Sequence, residues 1–207
     1  MRKGKTPRSG ERGSAFIEFL LSLSLFWVPL FLGTLVIGFN LVRAVEVTQV
    51  CRDAGHMYSY GIDFSLAAYQ NLLVSLAPGL GMAIGGGNGA VVLSTITFIG
   101  PNDCKAGGYP SNCTNVNTPV ITRQIVIGNS SVHASAFGTP PSKYMDSSGN
   151  VSPAGYLNDA SCRALGFSNV IALSSGQFAY LSEMWVKSPS WWSYLGSTTV
   201  VSARSIF

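Results

Sequence analysis

Residues Phe19 to Phe39, FLLSLSLFWVPLFLGTLVIGF, contain no charged side chain. As one helix these 21 residues extend about 31 Å at a rise of roughly 1.5 Å each, close to the ~30 Å of a bilayer's hydrocarbon core. A water-soluble fold has few places to bury such a segment. The chain of 207 residues therefore reads as one membrane-crossing helix with one ordinary domain built from the remainder.

The net charge of +4 sits ahead of that run: residues 1–13, MRKGKTPRSGERG, hold five Lys or Arg and one Glu, and the rest of the chain carries eight of each sign. A nucleic-acid-binding face needs basic side chains spread over a folded surface, so nucleic acid is not an expected partner. Basic residues before an apolar span stay in the cytoplasm under the positive-inside rule. This predicts a cytoplasmic N-terminus, with the chain from Asn40 onward outside. A cleaved secretory signal has an apolar region of roughly 7 to 15 residues and an A-x-A-like site. Here the run is longer and continues into FNLVRAVEVTQVCRDA, so the span is expected to stay as an anchor.

All four cysteines, Cys51, Cys104, Cys113 and Cys162, fall on the exported side of that topology, where disulfides form. Three connectivities are open. Cys104 and Cys113 share one loop, PNDCKAGGYPSNC, which favours a bridge between them and leaves Cys51 to pair with Cys162.

Past the span the pattern stays helical. LVRAVEVTQVCRDAGHMYSYG places Leu41, Val45, Thr48 and Arg52 on one stripe and Val42, Val47 and Val50 on another, which predicts a helix continuous with the span and a break near Gly55 or Gly61. A second helix is expected over Phe64–Leu76, capped by Asp63. Pro78 and the glycines of APGLGMAIGGGNGA end it and read by composition as a linker. The period then changes to alternation, giving strands from Val91, Pro119, Gly176 and Ser197. In the second strand Val120, Thr122, Gln124 and Val126 oppose Ile121, Arg123, Ile125 and Ile127. A long irregular region separates strands two and three, and loops of such length tend to be functional or flexible. The fold class is α+β: a long N-terminal transmembrane helix extended outside the membrane, then a small antiparallel sheet of about four strands with long loops.

Signs of chemistry are few. GLGMAIGGGNG lies between a helix and a strand, the reverse of the order a nucleotide-binding turn requires. His56 and His133 are the only histidines and neither has a second ligand at metal spacing. DSSGN, Asp146–Asn150, lacks the repeated acids of a calcium loop and reads as a surface turn. There is no G-x-S-x-G elbow. Trp185, Trp191, Trp192 and Tyr194 suit sheet packing better than a sugar platform or partner contact. No cofactor and no catalytic residue is expected, and the chain does not read as an enzyme.

Glu18 stands out at the mouth of the apolar run. An acid at a bilayer centre costs roughly 2.5–3.5 kcal/mol on insertion scales, and even at the edge of the span it needs a reason. The surrounding residues supply a resemblance. A basic leader, then Arg12-Gly13, then Ser14-Ala15-Phe16-Ile17, then Glu18-Phe19 heading an apolar helix is similar to the processing site of type IV pilin-like precursors, and in particular to TadE-like pseudopilins of tight-adherence (Tad, Flp-type) systems. Arg43 to Ala54, with R-x-V-E-V-T-Q-x-x-R-D-A, resembles that family's helix beyond the membrane, and VVSARSIF with Arg204 its last strand. The four cysteines and the loop from Ser130 to Leu165 depart from the pattern. In the span, Pro29 and Gly33 permit a kink.

The resemblance implies that a membrane prepilin peptidase cuts between Gly13 and Ser14, making Glu18 the fifth mature residue. It also implies that the Glu18 carboxylate neutralises the new ammonium of a neighbouring subunit, an ion pair favourable in an apolar bundle only when both partners are present. The expected division is a prepilin leader 1–13, a transmembrane and assembly helix 14–42, an extracytoplasmic helical segment 43–77, a linker 78–90 and a β domain 91–207. The implied protein is a minor pilin or pseudopilin of the bacterial inner membrane, with its β domain outside and a place in a surface pilus. Its implied partners are the peptidase, other pilins, the assembly machinery and a surface ligand. The alternatives are an uncleaved single-pass envelope protein with a ligand-binding β domain and a membrane-anchored exported enzyme.

Overall fold

A computed structural model describes residues 11–109, 113–187 and 200–207, with residues 11–13 described by their backbone. Residues 1–10 of the basic leader, the side chain of Arg12, Trp191, Trp192, Tyr194 and the first residues of the expected fourth strand lie outside that description. The chain divides into two units, Met1–Val42 and Arg43–Phe207.

In the first unit the chain is helical: α1 spans Glu11–Ser22, a π-helical turn covers Leu23–Trp27, and α2 begins at Val28. The wide turn has a local cause. Pro29 has no N–H and its ring crowds the carbonyl four residues back. Just before it, the Val28 N–H reaches five residues back to the Leu23 carbonyl, the register of a π-bulge. The hydroxyls of the apolar run bond within the helix: Ser22, Ser24 and Thr34 donate to the carbonyls of Phe19, Leu21 and Phe31 at 3.0, 3.1 and 2.8 Å, so these three donors are satisfied on an apolar surface. The large apolar side chains face outward, Phe16 at 64% and Ile37 at 69% exposure.

In the second unit α2 continues to Ser59 and buries Val47, Val50, Cys51, Ala54 and Tyr58, the i, i+3, i+4 pattern of a helix with one apolar face. Gly55 does not break it. Gly61, at φ 86°, ends it in a Schellman arrangement, with the N–H groups of Gly61 and Ile62 on the carbonyls of Tyr58 and Met57 at 3.0 and 3.1 Å. Helix α3 is shorter than expected, Ala67–Ser75. Asp63 uses its carboxylate on the Ser65 N–H at 3.1 Å and on Arg123, and Leu66 is extended.

The glycine-rich segment is folded. Met82–Ala83 (β1) and Gly86–Gly87 (β2) form a hairpin, with Gly81, Gly85 and Gly87 at positive φ, and Leu80 and Met82 enter the main core. Glycine serves a flexible linker and a left-handed turn equally well, so composition alone could not separate the two.

Four antiparallel strands follow: β3 Gly89–Ile99, β4 Thr118–Gly128, β5 Phe178–Lys187 and β6 Val200–Ile206, ordered β4-β3-β5-β6. One face, with Val91, Leu93, Ile125, Ile127, Met184 and Val186, packs on α2 and α3. A bulge between Thr95 and Ile96 leaves Thr122 as the extra residue of β4 and breaks the simple alternation expected there. Past it Ile121 turns to the opposite face, where it joins Ile96, Phe137, Phe167 and Leu181. That opposite face is covered by the long connection between β4 and β5. Helix α4, Pro101–Ala106, links β3 to the disulfide loop, and the long connection carries α5, Pro153–Asn158, with short 3-10 turns. The connection also guards the outer edge of β4 through bridges from Arg163 to Val120 and from Asn150 to Arg123.

Candidate functional site

The Gly13–Ser14 peptide bond lies in α1. One turn on, Glu18 shares a helix face with Ser14, whose hydroxyl donates to Glu18 Oε1 at 3.3 Å, as i and i+4 positions do. Glu18 and Phe19 are exposed, so the carboxylate sits among outward-facing Phe16, Ile17 and Phe19. The site thus consists of a peptide bond ahead of a small residue and an acid one turn further, both on an otherwise apolar helix.

The cysteines separate into two kinds. Cys104 and Cys113 are bonded, Cα atoms 5.8 Å apart, as their shared loop suggests. Cys51 and Cys162 do not form the expected bridge and are buried free thiols. Cys51 lies against β5, donating to the Ser182 carbonyl at 3.4 Å, whereas Cys162 precedes Arg163 at the outer edge of β4. Strand β3 intervenes, so the two supports are about 10 Å apart at ~4.8 Å per strand, beyond the roughly 7 Å that a disulfide's Cα atoms tolerate. Burial raises both thiols, Cys162 to about 11, and an un-ionised thiol is neither a ready nucleophile nor a metal ligand.

The remaining polar side chains serve structure. Asp146 of DSSGN accepts the N–H groups of Ser148 and Asn150, both at 2.8 Å, and the Asn150 amide at 2.9 Å, as a turn requires. His56 packs on Phe207 at 4.5 Å and His133 stacks on Trp185 at 4.7 Å. Among the described residues no three His, Cys, Asp or Glu gather as metal ligands. An open cleft of about 510 Å³ runs by Thr97, Asp103 and Tyr156, but Asp103 caps α4 by accepting the Gly100 N–H at 2.7 Å.

One buried charge was not anticipated. Glu183, fully buried in β5, pairs across the ladder with Arg204 of β6, whose Nε and guanidinium nitrogen both lie 3.1 Å from Oε1. The second carboxylate oxygen takes the Ser135 hydroxyl at 2.5 Å, and Arg204 lies 4.5 Å over the Phe137 ring. The pair ties the long connection to the sheet. Its sequence signal is Glu183 between Leu181 and Trp185 at alternate positions of an apolar face. No protein-family model, curated protein or solved structure matches the chain.

Proposed function

We propose that the chain is a minor pilin or pseudopilin of a Tad or type IV pilus-like system, inserted with its N-terminus in the cytoplasm and cut by a prepilin peptidase between Gly13 and Ser14. The observation that carries this reading is the placement of Glu18. It is an exposed acid four residues beyond that bond, at the head of an uncharged run whose large apolar side chains are exposed among the described residues. The helix leads into a small antiparallel domain with a Cys104–Cys113 bridge, in keeping with an oxidising compartment outside the inner membrane. Cutting at Gly13 creates an ammonium at Ser14. In a bundle of such helices, one subunit's Glu18 and a neighbour's ammonium neutralise each other, and neither charge is tolerated there alone. Docking out of register leaves both unpaired, so the pair selects one assembly.

N-terminal sequencing of the chain recovered from pili or membranes of a host with its own peptidase should begin at Ser14; functional protein beginning at Met1 refutes the processing. Glu18→Gln should insert normally and fail to enter pili. Normal piliation in that variant removes the carboxylate from assembly.

A further inference from the structure

Strand β6, VVSARSI, contains no proline, no lysine and no acid, and its register against β5 is unbroken from Leu181–Ile206 to Lys187–Val200. Proline, lysine, bulges and covering loops are the devices that keep a sheet edge from pairing with another chain. The sheet's two edges, β4 and β6, differ in this respect. Arg163 and Asn150 of the long connection guard β4. Among the described residues nothing pairs with the outer side of β6. No residue of β6 is buried, although β5 beside it is buried over most of its length.

Phe207 and Tyr180 exchange both backbone hydrogen bonds at 2.9 Å. Such pairs alternate along an antiparallel ladder, so Val201, Ala203 and Ser205 also turn their backbone groups to β5. Val200, Ser202, Arg204 and Ile206 then direct theirs away from the sheet. A row of donors and acceptors at that two-residue spacing fits the backbone of an extended segment.

The side chains say which kind of segment. Val200, Arg204 and Ile206 share one face. Val200 is 42% exposed, and Arg204, the strand's one charge, keeps 39% of its side chain exposed after Glu183 has taken two of its nitrogens. An acid opposite Arg204, with apolar side chains opposite Val200 and Ile206, complements this face. A second copy of β6 brings another Arg204 and no acid, and residues 188–199, SPSWWSYLGSTT, contain no acid either.

We propose that the outer edge of β6 accepts an extended segment of a different polypeptide, antiparallel, with an acid opposite Arg204 and apolar residues opposite Val200 and Ile206, which continues the sheet beyond β6. The edge belongs to the Arg43–Phe207 unit alone, so the proposal stands or falls apart from the cut at Gly13 and from the pilus.

The full chain in detergent is titrated into fluorescein-labelled VTETSTV, whose Glu meets Arg204 and whose end valines meet Ile206 and Val200, and into VTKTSTV, with anisotropy as the readout. Ser202→Pro removes an outward N–H and leaves the β5 ladder intact. The expected result is saturable binding, about fivefold tighter for the Glu peptide than for the Lys peptide, and lost in Ser202→Pro at an unchanged thermal midpoint. No saturable binding, equal binding of the two peptides, or undiminished binding to Ser202→Pro overturns the proposal. Hydrogen exchange of the parent chain decides the matter even if Ser202→Pro does not fold. The Ser202 and Arg204 amides should exchange freely, unlike those of Ala203 and Ser205, and slow severalfold with the Glu peptide. Slow exchange at Ser202 and Arg204 in the free monomer overturns the proposal, because the chain's own residues then hold the edge. Slow exchange that appears only as protein concentration rises overturns it too, since a second copy then occupies the strand.

Discussion

Arg204→Met tests whether the buried pair holds the long connection on the sheet. The change keeps a side chain of similar length over Phe137 and removes the charge opposite Glu183, which is fully buried. Removing one partner of a buried ion pair costs about 3–5 kcal/mol, because the other charge is left behind. Arg204 is 39% exposed on its side chain, so water enters its place and a loss of about 2–3 kcal/mol is expected after that screening. For a domain of this size each kcal/mol lowers Tm by roughly 2–4 °C, so the midpoint should fall by about 4–12 °C. Thermal unfolding of the detergent-solubilised chain, followed by near-ultraviolet dichroism, measures this. Hydrogen exchange should rise over residues 130–140, because the stranded Glu183 carboxylate draws water in beside Ser135, which bonds to it, and Phe137 loses the Arg204 cation over its ring. Glu183→Gln combined with Arg204→Met should recover at least ~1 kcal/mol of the loss, since a neutral amide still accepts from Ser135 and no charge is stranded. A single variant within ~2 °C of the parent, or a double variant no more stable than the single, refutes the reasoning.

Three further outcomes are expected of the same domain. Alkylation without reductant should modify no cysteine in the native chain, two after denaturation and four after denaturation and reduction; any modification of Cys51 or Cys162 in the native chain counts against their burial. Gly55→Ala should cost about 1–3 kcal/mol by overpacking, because its methyl would meet the Phe207 ring at 2.3 Å and Ser182 Cβ at 3.0 Å; Phe207→Leu should restore part of the loss, and a neutral Gly55→Ala refutes the contact. Acid should destabilise the domain through three carboxyls held below their ordinary range: Asp63 by the Ser65 N–H and then Arg123, Asp146 by Asn150, and Asp159, lowered to about 2, by the Ser161 hydroxyl. A depressed carboxyl contributes stability above about pH 4 that is lost as pH falls through its folded value. The midpoint should therefore drop between roughly pH 4 and pH 2, less steeply in Asp159→Asn, and an unchanged midpoint at pH 2 would contradict these hydrogen bonds.

What the sequence discloses depends on how local its cause is. The strand beginning near Val91 and the Cys104–Cys113 bridge were legible because alternation over ten residues, or nine residues of separation, nearly determines them. The turn of β1–β2 was not, since the glycines that permit positive φ are the same ones that loosen a linker. Nor was the switch of Ile121 to the second face, because a single extra residue, Thr122, reverses alternation without altering composition. The two notable glutamates show the limit most clearly. Glu183 looks misplaced on an apolar face until the β5–β6 register sets Arg204 opposite it, a pairing that no local pattern contains. Glu18 has a local signature that can be read at once, yet among the described residues the only hydrogen bond to it is from the Ser14 hydroxyl. A hydroxyl does not neutralise a carboxylate on an apolar helix. Inside the domain the fold supplies the counter-charge. For Glu18 no ion pair is formed among the described residues, and in the proposed assembly the cut at Gly13 creates a counter-charge on each subunit that a neighbour in register can use.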